Sequence, residues 1–204
     1  MTRTLAALVL AGCTSGRINW ADGTTEVRSA LYRVGLDAGI PSASVFLTNG
    51  EIGCSLPSTD DPVTQEDAVQ DLFLAMCRED ARHVHLLLWR HPDSQEWTAT
   101  YPARREASAA ALSGRRLARG ATYGVGEAYR VELPGVPRGY AAEDLDVRPD
   151  LGRGEVEVIE HGDRLDGSFS FPEAKVSGRF RATQCLDDTS LLDVVEAGPT
   201  FLCP

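Results

Sequence analysis

"EVEVIEHGDRLDGSFSFPEAKVSGRFRATQ", residues 155–184, is the most regular stretch of the chain and decides its fold class. Apolar residues or glycines occupy alternate positions in three runs, as in strands, whose side chains alternate between two faces. These positions are Val156, Val158, Leu165, Gly167, Phe169, Phe171, Val176, Gly178, Phe180 and Ala182. Turn sequences, HGD at 161–163 and PEA at 172–174, separate the runs. The stretch therefore predicts three successive antiparallel strands.

Two further hairpins are predicted upstream. A strand through Val45 and Leu47 precedes Asn49–Gly50, the commonest two-residue hairpin signal, and a return toward Cys54. HVHLLLWRH at 83–91 and EWTATYP at 96–102 form the second predicted hairpin. In its first strand Val84, Leu86 and Leu88 face one way, whereas His83, His85, Leu87, Trp89 and His91 face the other. A strand with glycine bends is predicted in ATYGVGEAYRVELPG, residues 121–135.

An amphipathic helix is predicted over about 64–79, in TQEDAVQDLFLAMCRE. Thr64 can cap its first turn, and the residues of its apolar face recur at helical spacing: Val69, Leu72, Phe73, Met76 and Cys77. A shorter helix is predicted from Glu26 to Val34, ended by Gly35. No long helices alternate with strands as in parallel βαβ units. The predicted fold is mostly β, an antiparallel sandwich or barrel-like sheet built from hairpins, with one packed amphipathic helix.

Length and charge narrow the classes of function. The chain has 204 residues, which suits one domain with a real core. Its 30 acidic residues exceed its 20 basic residues, so the net field repels phosphate backbones and anionic lipid headgroups. Nucleic acid is therefore not expected as a partner.

The N-terminus carries a short apolar run, residues 5–10, after the positive charge of Arg3. The run is too short to span a membrane, which takes about 20 apolar residues, but it suits the apolar region of a signal peptide. The sequence that follows, Leu10-Ala11-Gly12-Cys13, resembles the lipobox of bacterial lipoproteins. The alternative is a first core strand that ends in Gly-Cys.

The lipobox resemblance implies cleavage before Cys13 and acylation of that cysteine. It divides the chain into a signal peptide at 1–12, a tether at 13–25 and a single globular β-rich domain at 26–204. Thr14 stands where an aspartate commonly favours retention in the inner membrane. The resemblance thus implies a membrane-anchored protein of the bacterial envelope, in the outer membrane, on its periplasmic face or at the cell surface.

Four cysteines remain apart from Cys13, and an even number in an exported chain predicts disulfides. Four cysteines allow three pairings. The short loops that they close favour Cys54 with Cys77 and Cys185 with Cys203. A four-cysteine zinc site is the alternative, but the chain has no Cys-x-x-Cys pair.

Candidates for metal binding are His83 and His85, because residues i and i+2 of a strand share a face. His161, with Glu160 or Asp163, could add a third ligand. The alternative for the pair is an ordinary polar, partly exposed strand face. A calcium-loop count at Asp144, Asp146, Asp150 and Glu155 fails, because Pro149 and Arg148 occupy positions that need glycine and a ligand.

The expected function follows from the N-terminus rather than from a catalytic motif. The nucleophile elbow and the zinc-protease motif are absent from the sequence, and no catalytic residue or cofactor is assigned. We expect a lipid-anchored envelope protein with a non-enzymatic binding or structural role, whose partner is an unidentified envelope protein or ligand. The alternatives are an envelope metal-binding protein or hydrolase that uses His83 and His85, and a soluble protein whose N-terminus is misread.

Overall fold

The computed structural model describes residues 15–54, 82–103, 122–130 and 151–185, the third range by its backbone alone. Ten strands in these ranges form one sheet, which confirms the mostly β class. They are β1 Gly16–Trp20, β2 Gly23–Val27, β3 Ser29–Asp37, β4 Ile40–Thr48, β5 Arg82–Arg90, β6 Ala99–Ala103, β7 Thr122–Arg130, β8 Gly154–His161, β9 Arg164–Phe171 and β10 Val176–Gln184. These ranges contain no helix, and the predicted helix at 64–79 lies outside them.

The sheet curls in the barrel-like way rather than forming two stacked layers. Its strand order is β2-β1-β10-β3-β4-β5-β7-β6-β8-β9, and β9 pairs in turn with β10. The pairings from β3 round to β10 therefore form a circuit. Two of its junctions are short and parallel: β10 meets β3 over two residue pairs, and β6 meets β7 over one. The other pairings between the described strands are antiparallel.

The three C-terminal strands are confirmed with the predicted turns. β8 pairs with β9, and β9 with β10, over almost their whole lengths. Gly162 takes a φ of 64° in the first turn, where a residue without a Cβ is favoured. The apolar residues at the alternating positions are buried in the core: Val156, Val158, Leu165, Phe169, Phe171, Val176, Phe180 and Ala182.

Two glycines in this core face allow phenylalanine rings to cross the sheet. Phe169 lies opposite Gly178, and Phe180 lies opposite Gly167. A Cβ at Gly178 would lie 2.5 Å from Cζ of Phe169 and 2.6 Å from the carbonyl oxygen of Arg17. The ring of Phe180 closes the space over Gly167 in the same way. The glycines are therefore part of the packing, because each makes room for the aromatic ring of the neighbouring strand.

The first predicted hairpin is wrong. β4 ends at Thr48 and pairs with β3 and β5, and residues 51–54, where the return toward Cys54 was predicted, form no strand. Asn49 instead accepts a hydrogen bond from the Arg82 amide at 2.9 Å, which aligns the start of β5. The tight turn is Ala38–Gly39, between β3 and β4, where both φ angles are positive, 47° and 81°. This is the turn geometry that fits the twist of a two-residue hairpin.

The predicted helix at 26–34 is also wrong. β2 ends at Val27 and β3 begins at Ser29. Residues 29–32 are all buried, since both faces of β3 are covered at its start. Apolar side chains on both faces of a strand can fall at intervals that imitate one face of a helix, and this produced the error.

The chain is already part of the sheet at residues that the sequence assigned to a tether. The hairpin β1–β2 pairs with β10, and Ile18 and Val27 are fully buried in the core. The described part of the predicted tether, residues 15–25, therefore belongs to the β-sheet. The predicted β5–β6 hairpin is wrong as well: β5 pairs with β4 and β7, whereas β6 pairs with β8 and touches β7 at Ala103.

Candidate functional site

Strand β5 carries polar groups to both faces of the sheet. Its predicted alternation is confirmed for the inner face, where Val84, Leu86 and Leu88 are fully buried in the core. His83 and His85 alternate with these residues and lie on the outer face. Arg82 and Arg90 continue the inner-face series at the two ends of the strand.

The two histidines form buried hydrogen bonds with strand β4. Nε2 of His85 lies 2.7 Å from Oγ of Ser44, and Nδ1 of His83 lies 2.8 Å from Oγ1 of Thr48. The His83 ring also stacks on Phe46, with 5.5 Å between ring centroids. Their exposed fractions are 2% for His83 and 6% for His85. This face is therefore covered, unlike the partly exposed strand face considered from the sequence.

The histidine pair does not gain the third ligand that a metal site was expected to need. His161 and Glu160 lie on β8, which is separated from β5 by β7 and β6 in the sheet order. Among the described residues, no three histidine, cysteine, aspartate or glutamate side chains converge to hold a metal ion. Of the calcium-loop positions, Glu155 lies in β8 opposite Ser170, and residues 144–150 lie outside the described ranges.

Replacing Thr48 by valine is expected to lower the free energy of unfolding by about 1–3 kcal/mol, because the hydrogen bonds of its hydroxyl to the Gly50 amide and the His83 ring are lost in a buried place. Oγ1 of Thr48 accepts the Gly50 amide at 2.9 Å and also forms the 2.8 Å hydrogen bond with Nδ1 of His83. Thr48→Ser keeps the hydroxyl and is the matched control. Urea unfolding of both variants tests this. Equal stability of the valine and serine variants would contradict the assigned hydrogen bonds.

The arginine at the first end of β5, Arg82, is paired with an acid. Nη1 and Nη2 of Arg82 lie 3.0 Å and 2.9 Å from the two carboxylate oxygens of Asp22. Its guanidinium also lies over the Trp20 ring, 5.4 Å from the centroid. A planar fork paired with a carboxylate and stacked on an aromatic ring is a complete structural arrangement for arginine.

The Arg90 end has the same stacking, but no ion pair joins Arg90 to an acid among the described residues. The Arg90 guanidinium lies 4.7 Å from the centroid of the Trp97 ring. Its Nε and Nη1 atoms are buried and have no hydrogen-bond partner. The Trp97 amide donates to Oε2 of Glu160 at 2.7 Å, and the Tyr101 hydroxyl donates to the Trp97 carbonyl at 2.8 Å. Trp97 is therefore held in place, whereas the arginine above it has unsatisfied donors.

Exposed apolar side chains lie on the same face as Arg90. Val34 is opposite Ala43, and Ala43 is opposite Leu88, so Val34 shares the inner face with Leu88. Leu36 lies two residues after Val34 on β3, and Arg90 lies two residues after Leu88 on β5. Both strands run in the same direction, so Leu36 and Arg90 lie at the same end of this face. Val34 is 39% exposed and Leu36 is 75% exposed. We call this end, formed by Val34, Leu36, Arg90 and Trp97, the β3–β5 mouth.

Two buried phenols lie on the inner face. Burial raises the pKa of Tyr101 far above its usual value, and Glu160 raises it further, whereas Arg90 opposes the shift. Burial also raises the pKa of Tyr32, with smaller contributions from the negative charges of Glu160 and Asp163. Both hydroxyls therefore remain protonated donors near neutral pH. Tyr101 uses its proton to hold Trp97, and Tyr32 donates to Gln184 at 3.4 Å.

A separate groove of about 380 Å³ lies on the outer surface of the β1–β2 hairpin and β10. It is lined by Gly16, Arg17, Thr24, Glu26 and Arg179. Arg17 lies opposite Arg179 on one side and Glu26 on the other, and all three side chains are exposed. The groove has mixed charge and holds no buried unpaired donor of the kind found at the mouth.

A disulfide joins Cys54 to Cys185, so the predicted pairings of Cys54 with Cys77 and of Cys185 with Cys203 are wrong. The sheet order brings these cysteines together. β3 lies between β4 and β10, and the amide of Ile52 donates to Oγ of Ser29, which holds the segment after β4 beside the start of β3. On the other side of β3, the amide of Cys185 donates to the carbonyl of Tyr32 in that strand. Cys13, Cys77 and Cys203 lie outside the described ranges.

Comparison with known proteins gives no relative for this arrangement. No family model, curated protein or solved structure matches the chain. In the described ranges, no helix has the length and apolar character needed to cross a membrane.

The two arginines of β5 were not predicted as site residues, although the sequence pattern contains a usable signal. Val84, Leu86 and Leu88 define the inner face, and one step of two residues in either direction reaches Arg82 and Arg90. A charged residue that continues an apolar face at a strand end is a candidate for a site at the rim of a barrel-like sheet. The orphaned donors of Arg90 depend on tertiary contacts, which this pattern does not contain.

Proposed function

We propose that the chain is a lipid-anchored protein of the bacterial cell envelope, held by acyl groups on Cys13, with a non-enzymatic binding role. The observation that carries the proposal is the link between Cys54 and Cys185. Disulfides persist in oxidising compartments outside the cytosol, and export to such a compartment is what the Leu10–Cys13 lipobox resemblance implies. The covalent link and the N-terminal sequence thus support the same destination.

The start of the sheet is consistent with a short connection to an anchor. β1 begins at Gly16, three residues after Cys13, and Ile18 is fully buried. Three extended residues reach at most about 10 Å, so an anchor on Cys13 would hold the sheet close to the membrane surface. Attachment through more than one acyl chain would be stable, whereas a single chain binds only marginally.

A binding role is supported by the β3–β5 mouth. Exposed Leu36 and Val34 and the unsatisfied donors of Arg90 share one end of the inner face. Sites for small molecules commonly combine apolar walls with a few converging polar groups, and the mouths of barrel-like sheets are a frequent place for them. The Arg82 end, closed by Asp22, offers no such combination.

Replacing Cys13 by alanine is expected to move the protein from the membrane fraction to the soluble fraction of its native host. The reason is that the acyl groups, rather than the folded sheet, provide the attachment. Thr14→Ala, which keeps the cysteine, is the matched control and is expected to remain with the membrane. Fractionation followed by immunoblotting measures both. If the Cys13→Ala chain stays membrane-bound, or the control chain is soluble, the anchoring proposal fails.

A hydrolase is the second candidate, because Oγ of Ser44 lies 2.7 Å from Nε2 of His85. Glu127 on β7 occupies the register position opposite His85. A serine within hydrogen-bond reach of a histidine is the first pair of a nucleophilic triad. Both Ser44 and His85 are buried on the covered face, however, which leaves a substrate no approach in this structure.

Labelling with a fluorophosphonate probe separates the two candidates. The binding proposal predicts no labelling of the folded chain. Labelling that disappears in Ser44→Ala but persists in Ser42→Ala, a serine on the same face of β4, would favour the hydrolase.

A further inference from the structure

We infer that the β3–β5 mouth binds an amphipathic carboxylate, with the carboxylate on Arg90 and the apolar tail against Val34 and Leu36. The inference rests on the proposed binding role and names the class of its ligand. Its first support is an internal comparison. Arg82 and Arg90 occupy corresponding positions at the two ends of the inner face of β5, and each stacks on a tryptophan.

Of these two arginines, Arg82 forms an ion pair with a described acid and Arg90 does not. Both carboxylate oxygens of Asp22 bind Arg82, whereas no ion pair reaches Arg90 from the residues that the structure describes. Two nitrogen atoms of Arg90 are buried without a partner. Buried donors are nearly always satisfied, so an exception calls for a missing acceptor. The missing acceptor at Arg90 corresponds to the carboxylate that Asp22 provides at the other end.

The charge of the acceptor follows from the geometry of the guanidinium. Its parallel donors match the two oxygens of a carboxylate better than a single neutral acceptor. Glu160 is the nearby acid, but its Oε2 already accepts the Trp97 amide. Glu160 thus holds the backbone of Trp97 beneath Arg90, and it forms no ion pair with the guanidinium in the described part of the chain.

The rest of the ligand follows from the apolar residues beside Arg90. Leu36 and Arg90 lie at the same end of the inner face, two strands apart, which is about 10 Å. Leu36 is 75% exposed, whereas Ala43 and Leu88, one step further in on the same face, are fully buried. A ligand with only a charged group would leave this surface in water, and a purely apolar ligand would leave Arg90 unpaired. An acyl chain with a terminal carboxylate satisfies both groups.

Titration calorimetry tests the ligand class on the full chain carrying Cys13→Ala, so that no acyl group of its own competes for the mouth. Three probes below their micellar concentrations separate head from tail: dodecanoate, dodecyltrimethylammonium and acetate. Dodecanoate is expected to bind at least about tenfold more tightly than either of the others, since only it provides both contacts. Equal affinity for the cationic probe, or no binding of dodecanoate to the folded chain, would overturn the inference.

Variants locate the site. Arg90→Gln is expected to weaken dodecanoate binding about tenfold, and Leu36→Ser to weaken it several-fold. Arg179→Gln, which changes an exposed arginine on the outer groove, is the matched control and is expected to leave the affinity unchanged. Circular dichroism checks that each variant folds. If Arg90→Gln does not fold, the comparison of the three probes on the chain with an unaltered mouth tests the ligand class. Failure of binding leaves the Cys13 fractionation result unaffected, so the ligand class and the anchoring are tested separately.

Discussion

Replacing Cys54 and Cys185 together by alanine is expected to lower the free energy of unfolding by about 3–5 kcal/mol. The disulfide joins cysteines 131 positions apart, and a cross-link that closes so long a loop restricts the unfolded chain strongly. It also lies at a short junction of the sheet. β10 meets β3 over only two residue pairs, Thr183 with Leu31 and Gln184 with Tyr32. Chemical denaturation of the two chains measures the difference.

The matched control for this prediction is the double variant Cys77→Ala with Cys203→Ala. It is expected to keep the Cys54–Cys185 link, which peptide mapping without reductant detects directly. The account of the junction is contradicted if the alanine pair at Cys54 and Cys185 leaves stability unchanged. It is also contradicted if mapping finds Cys54 joined to any other cysteine.

Gly178→Ala is expected to lower the free energy of unfolding by about 3 kcal/mol. The added Cβ would lie 2.5 Å from Cζ of Phe169 and 2.6 Å from the carbonyl oxygen of Arg17. The ring of Phe169 packs between Phe171 and Phe180, with centroids 6.1 Å and 6.4 Å away, so it has little room to move. The backbone of β1 would have to shift from β10, which weakens the pairing that holds the N-terminal hairpin.

Gly35→Ala is the control for this substitution. Gly35 also lies within a strand, β3, but a Cβ there meets no atom within 4 Å. Its stability is expected to stay within about 0.5 kcal/mol of the original chain. Thermal or urea unfolding compares the two variants. Similar losses in both would show that the cost comes from strand glycines in general, and would contradict the ring-over-glycine packing.

The sequence predicted the strands whose neighbours are close in the chain. β8, β9 and β10 are consecutive, have one buried face, and are joined by short turns, so alternation and turn residues sufficed. The predictions failed where paired strands are far apart in the sequence. β1 binds β10, and β5 binds β7 rather than β6, and no local pattern specifies such partners. The helix predicted at 26–34 failed because both faces of β3 are buried at its start.

The candidate site was predictable only in part. The shared face of His83 and His85 followed from strand alternation, but their burial against Ser44 and Thr48 depends on the β4–β5 register. The disulfide partner of Cys54 was missed because loop length was used as the criterion, whereas spatial proximity comes from the order β10-β3-β4. The donors of Arg90 are unsatisfied because of tertiary packing, which has no signature in the sequence.

Intact-mass spectrometry of the protein from a membrane fraction of its native host, with alkylation before any reduction, tests the central claim most directly. The claim is an exported, lipid-anchored chain with a Cys54–Cys185 disulfide. It predicts a mass that begins at Cys13, carries added acyl groups, and shows no alkylation at Cys54 or Cys185. A mass that begins at Met1, without acyl groups and with both of these thiols alkylated, would contradict it.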